Sequence, residues 1–139
     1  MLREVYETQA RLLGPLHPDT LVIQGNLAQW RGQAGDHVGA VVALEDLLAT
    51  KLGILGPNHP HTLATRGMLA HWRGQSGDPV TAAAELRALY EDLIRLFGPT
   101  HPESARTHSS LVHWRSRTQI ANVDGDYQQQ QGQRSVVVR

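Results

Sequence analysis

Ten residues beginning at Leu27, LAQWRGQAGD, return at Leu69 as LAHWRGQSGD, 42 positions on and with two changes. The period runs well beyond those ten. Gly14 opens GPLHPDTLVIQGNLAQWRGQAGD, Gly56 opens GPNHPHTLATRGMLAHWRGQSGD, and Gly98 opens GPTHPESARTHSSLVHWRSRTQI, with no gap between the offsets. Over the whole period the first two copies share 19 of 42 residues. A unit repeated at this spacing is one supersecondary element that cannot bury its apolar face alone, so copies must stack.

Each unit reads as a pair of helices. The His-Pro pair opens the first: His17 falls at the N-cap and Pro18 at the first helical position, where a missing N–H costs nothing. Asp19 and Glu103 follow, at the positive end of the helix dipole; in the middle unit His61 stands there instead. Ile23, Leu27, Trp30 and Ala34, widened by Leu21 and Ala28, recur at helical spacing as an apolar stripe. Gly32 weakens the helix near its end, Gly35 supplies a left-handed stop, and Asp36 caps the second helix. Asp78, followed by Pro79, repeats the start signal. The second helix carries Ala40, Leu44, Leu47, Leu48, Leu52 and Leu55, matched by Ala82, Leu86, Leu89, Tyr90, Ile94 and Phe97.

Leu2, Val5, Tyr6, Leu12 and Leu13 align with Leu44, Leu47, Leu48, Ile54 and Leu55. Residues 1–13 therefore read as the back part of a second helix, 14–55 as repeat one, 56–97 as repeat two and 98–117 as the first helix of repeat three. Gln119 and Ile120 stand where a third Gly-Asp is due. Residues 118–139 diverge, are rich in glutamine and are expected to be mobile; SVVV near the end is a short strand candidate.

The fold class expected is all-α: antiparallel helical hairpins stacked as a short right-handed solenoid. A hydrophobic fraction of 40% suits such a thin structure with much surface for its core. Formal net charge is zero and the pI near 7.1, which removes the basic footprint of a nucleic-acid binder. No cysteine is present, so disulfides, thiolate nucleophiles and zinc–sulfur sites are excluded. No stretch has signal-peptide character or membrane-spanning length, and a cytoplasmic protein is the default expectation.

The 42-residue spacing together with LGPNHPHTLATRGMLAHWRGQSGD resembles tetratricopeptide (TPR) repeats of the kinesin-light-chain type, over residues 1–117. Similar arrays are common in actinobacterial proteins, often attached to nucleotide-switch signalling ATPases. The resemblance implies a concave groove, lined by the first helices, that holds a peptide or partner helix. It also implies that asparagines just before the Leu-Ala pair grip a partner's backbone; Asn26 fills one such place, while Gly25, Gly67, Met68, Ser109 and Ser110 fill the others.

Gln29, His71 and His113 form one column two places after that pair, off the apolar stripe. Gln33, Gln75 and Arg117 form the next, one helical turn on. The partner-binding set expected on the concave face is thus Gly25, Asn26, Gln29, Gln33, Gly67, Met68, His71, Gln75, Ser109, His113 and Arg117.

Trp30, Trp72 and Trp114 lie on the stripe with Leu27, Leu69 and Leu111, and read as core. Arg31, Arg73 and Arg115 follow them and read as partners for acids on neighbouring helices, their stems covering apolar surface. His17, His59 and His101 occur once per repeat. Stacked repeats set equivalent positions about 10 Å apart, whereas zinc ligands lie about 2 Å from the ion, so no metal is expected. No phosphate loop, nucleophile elbow or His-Glu-x-x-His motif occurs, and neither enzyme chemistry nor a cofactor is expected. Glu45–Asp46 and Glu91–Asp92 read as solubility charges. The expected role is a non-enzymatic module binding a protein or peptide, with no nucleic acid and no membrane. The alternatives are a structural unit that self-assembles into homo-oligomers through uncapped ends, where Leu111, Val112, Trp114, Val5, Tyr6 and Leu13 would be exposed, or a fragment of a larger regulatory protein.

Overall fold

The computed structural model describes residues 2–14 and 16–118, apart from the side chains of Leu2 and Gln9. Five helices run Leu2–Leu13 (α1), Pro18–Gln33 (α2), His37–Leu55 (α3), Pro60–Gln75 (α4) and Pro79–Phe97 (α5). A sixth, α6, covers residues 102–118. Each of α1 to α4 packs on the next, and α2 also touches α4. The order is a lone helix α1, the hairpins α2–α3 and α4–α5, and a further helix α6. The tail beyond Thr118, including its strand candidate, lies outside the described residues.

The same local chemistry starts each copy. His17, His59 and His101 sit just before the first helices, and each ring Nδ1 accepts a backbone N–H two residues on, from Asp19, His61 and Glu103, at 3.1 Å every time. Asp36 accepts from Gly39 N–H at 2.9 Å and Asp78 from Thr81 N–H at 3.1 Å, capping α3 and α5. Gly14, Gly35, Gly56, Gly77 and Gly98 all have φ between +86° and +109°, which strains any residue with a Cβ. They fall every 21 residues, so each helix of the 42-residue unit ends on its own glycine stop.

Two cores form, and each is shared between units. Leu21, Ala28, Ala40, Val41, Leu44 and Leu47 of the first hairpin close against Leu69 and Trp72 of α4. Leu63, Ala70, Ala82, Leu86, Leu89 and Leu93 close against Leu111 and Trp114 of α6. Each hairpin thus completes its core with the next first helix, as stacked repeats must.

Three sequence expectations change here. Trp30 is not core: it is 62% exposed, against 6% for Trp72 and 2% for Trp114. In the first copy the buried face is Leu21, Gly25, Ala28 and Gly32, while Ile23 and Leu27 are half-buried and Ala34 is exposed. Trp72 and Trp114 are each covered by the first helix of the preceding unit, whereas among the described residues no first helix precedes α2. Leu111 and Trp114, expected to be exposed at the other end, are buried; Val112, Val5 and Leu13 are exposed as expected, and Tyr6 is half-buried. On the second helices the buried row is Ala40, Leu44, Leu47 and Lys51, repeated as Ala82, Leu86, Leu89 and Leu93. Leu52, expected inside, is 43% exposed, and the chain's one lysine takes the core place instead. Helical geometry explains the register: 40, 44, 47 and 51 follow the i, i+4, i+7, i+11 row of one face.

Candidate functional site

A cavity of about 620 Å³ opens between α4 and α6, with α5 as its floor. Leu86, Leu89, Leu93 and Phe97 line the floor; the α4 wall is Pro60, Leu63, Ala64, Gly67, Met68 and His71. The opposite wall is His101 and Glu103, Arg106, Thr107 and Ser110 of α6, and Gln29 of α2 closes one end. Three of the floor leucines are buried in the second core, which holds the floor rigid, whereas Phe97 is 39% exposed and stands at the groove.

The rim is polar and ordered. Arg106 pairs with Glu103 at 2.9 Å, one helical turn away, and the His101 ring stacks on Phe97 with centroids 4.8 Å apart. His71 remains open to solvent, but its ring meets Trp72 edge-on at 4.7 Å and Trp114 at 6.3 Å. Partial desolvation by these neighbours pushes the His71 pKa below its ordinary value, and the nearby His113 and His37 add to the effect. A neutral imidazole can both donate and accept a hydrogen bond, so it suits an uncharged polar contact at neutral pH.

Of the residues expected on the concave face, Gln29, Gly67, Met68 and His71 line this cavity. Gly25 is buried: a Cβ there would stand 3.5 Å from Leu47 and 3.8 Å from Met68. Asn26, Gln33, Gln75, Ser109, His113 and Arg117 are exposed but not on the cavity wall. The Arg117 guanidinium lies 5.3 Å over the Trp114 ring. The α6 wall was missed, although Glu103, Arg106, Thr107 and Ser110 show the i, i+3, i+4, i+7 spacing of one helix face. The columns chosen from the repeat follow equivalent positions, whereas a groove between two first helices is bounded by different faces of each.

Of the arginines that follow the tryptophans, Arg73 meets the expectation of pairing with acids on neighbouring helices. Arg73 bridges second helices on both sides, to Glu45 at 3.2 Å and to Glu85. Burial raises the Glu85 pKa, with Arg73 opposing it. Arg31 pairs with the cap Asp36 at 3.0 Å. Two expected solubility charges are structural instead: Glu45 through Arg73, and Asp92 through Arg66 at 2.7 Å. Among the described residues no group of three or more histidine or acidic side chains could hold a metal, and no helix is long and apolar enough to cross a membrane.

Fold and groove together define a TPR-like helical-hairpin solenoid. The chain is similar to the crystal structure of a Podosopora anserina kinesin light chain with nearly identical TPR-like repeats: TM-score 0.73 and 26% identity, over 81% of this chain and 54% of that one. A point-substituted form of that fungal protein matches with the same score and identity, over 81% and 53%. This chain therefore spans about half the length of the structures it matches. No family model and no curated protein matches it.

Proposed function

We propose that this chain is a non-enzymatic, cytoplasmic protein-interaction module that takes apolar side chains of a partner helix or extended peptide into the groove between α4 and α6. The observation that carries this reading is the combination of a leucine floor, an exposed Phe97 and a polar rim of His71, Gln29, Ser110 and the Arg106–Glu103 pair. Protein-recognition grooves pair an apolar base, which supplies affinity, with polar groups that fix register. The kinesin-light-chain neighbours support the general class.

The test is capture from the native host with the wild-type chain, His71→Glu and Phe97→Ala, each shown folded by circular dichroism. The reading expects a retained protein that both variants lose. A protein held equally well by all three would move recognition to another surface. The second reading, self-assembly through open ends, is favoured by Val112 and Trp30, which are 49% and 62% exposed at opposite ends of the stack. In that case Val112→Glu would dissolve oligomers and His71→Glu would leave them intact.

A further inference from the structure

The groove between α4 and α6 has a closed twin. The first helices α2 and α4 frame the same gap one period earlier, with Gly25, Leu47 and Met68 at the places that Gly67, Leu89 and Ser110 hold in the groove. The glycine and leucine keep their geometry. A Cβ at Gly25 would lie 3.5 Å from a Leu47 methyl, and one at Gly67 would lie 3.6 Å from that of Leu89. The third member differs. Met68 reaches across from α4 until its Cε is 3.8 Å from where a Gly25 Cβ would be, and it packs on the first core. A Gly67 Cβ would meet only Leu89 within 4 Å among the described residues. Gly25 is buried accordingly, while Gly67 is half-buried and lines the cavity.

Ser110 leaves this slot open, because serine is too short to span the gap. Its hydroxyl turns back and donates to the Arg106 carbonyl of its own helix at 3.3 Å. The charges nearby are settled too. Arg106 is paired with Glu103 at 2.9 Å, and partial desolvation favours the neutral form of His71. An uncharged apolar group therefore complements the slot, whereas a charged one would lose its hydration there without gaining a partner.

We propose that the slot formed by Gly67, Leu89 and Ser110 takes one methionine-like side chain of the protein partner: long, uncharged and unbranched at Cβ. The template lies inside the molecule, where Met68 fills the twin gap and continues the packed interface between first helices. A thioether chain with three rotatable bonds suits an irregular gap of this kind, and leucine is its nearest substitute. The inference rests on the groove being the recognition surface, and adds which side chain anchors the partner there.

A phage-displayed library of random peptides, panned on the full chain, is the probe. Bound peptides are expected to share a methionine, or a leucine at the same place. In synthetic copies, norleucine there should change affinity little, whereas alanine or glutamate should weaken binding about tenfold or more. Ser110→Met, which fills the slot from within as Met68 fills its twin, should melt no lower than the wild type and lose these peptides. Gly67→Ala adds a methyl 3.6 Å from Leu89, which narrows the slot without a clash. It should weaken the same peptides, and serves as the second route if Ser110→Met misfolds. Peptides that His71→Glu loses but that share no such anchor, or that folded Ser110→Met still binds, overturn the inference and leave the groove as the recognition surface. Peptides that His71→Glu and Phe97→Ala hold as tightly as the wild type overturn the groove reading and the inference with it. A library that yields no binder overturns the inference, while capture from the native host still judges the groove.

Discussion

Replacing Trp72 with alanine should cost far more than the same change at Trp30, although the two stand at one place in the repeat. Trp72 is 6% exposed, lies on Gly32, stacks on His37 with centroids 5.6 Å apart and donates its N–H to Gln29. Truncating a buried aromatic to alanine costs about 3–5 kcal/mol. The upper end applies here, because Gly32 has no side chain to move into the void. Trp30 is 62% exposed, and loss of such a group usually changes stability by about 0.5 kcal/mol or less. For a folded region of this size, roughly 3–6 °C of melting temperature accompanies each kcal/mol. Trp72→Ala should therefore melt roughly 15–30 °C below the wild type, and Trp30→Ala within a few degrees of it. Since small folds hold only about 5–15 kcal/mol in reserve, Trp72→Ala should be partly unfolded near body temperature. Urea titration followed by far-ultraviolet circular dichroism gives the comparison directly. Coincident midpoints for the two variants would refute the shared-core architecture, because they would mean Trp72 is not held between units.

Gly32→Ala should destabilise, because its methyl meets the Trp72 ring at 2.6 Å and overpacking costs about 1–3 kcal/mol, more than the helix propensity gained. Gly53→Ala, with nothing within 4 Å in α3, should instead stabilise by about 0.5–1 kcal/mol; paired thermal melts check both. Lys51 is buried, donates to Thr65 at 2.8 Å and to the His61 carbonyl at 3.5 Å, and burial lowers its pKa below the usual 10.5. Lys51→Leu, which copies the repeat's own Leu93, should raise the melting temperature at pH 7. The wild type should gain stability as pH climbs through the lowered folded pKa towards 10.5, where the unfolded amine holds more protons, and the variant should lack that gain. Asp36, held down by the Gly39 N–H it caps, Asp78, held down by the Thr81 hydroxyl and then its N–H, and Asp92, held down by Arg66, have pKa values below the usual 3.8. Their stabilisation is complete above that value and is lost as pH falls through the lowered folded values. Asp36→Asn/Asp78→Asn/Asp92→Asn should therefore flatten melting temperature against pH between roughly 2 and 4, while Glu85, whose pKa burial raises, tilts the curve the opposite way.

What the sequence disclosed was whatever one repeat decides alone. His17, Asp36 and Gly35 act within a few residues of their own positions, so their letters were enough to place a cap, a second cap and a stop. What it withheld depends on the neighbour. Trp30 and Trp72 are the same letter in the same frame, and only the presence of a preceding first helix separates exposed from buried. Gly32 read as a helix weakener because its purpose, a seat for Trp72, lies 40 residues along the chain. Lys51 beside Leu52 invited the apolar choice, yet the helical row 40, 44, 47, 51 was already visible and would have placed the lysine inside. The groove divided likewise: Gln29 and His71 came from a repeat column, Gly67 and Met68 from the places the family resemblance implied, and the α6 wall required knowing which of its faces meets α4.

The two shared cores also bear on what happens when the chain is pulled from its ends. Tension enters each hairpin along the stack, and no strand pairing ties distant segments together among the described residues, so rupture should proceed one unit after another. Each event would free 42 residues, a contour of roughly 150 Å at full extension. Under load the protein would behave as a ratcheted tether, yielding in equal steps and recoiling the same way when the force is released.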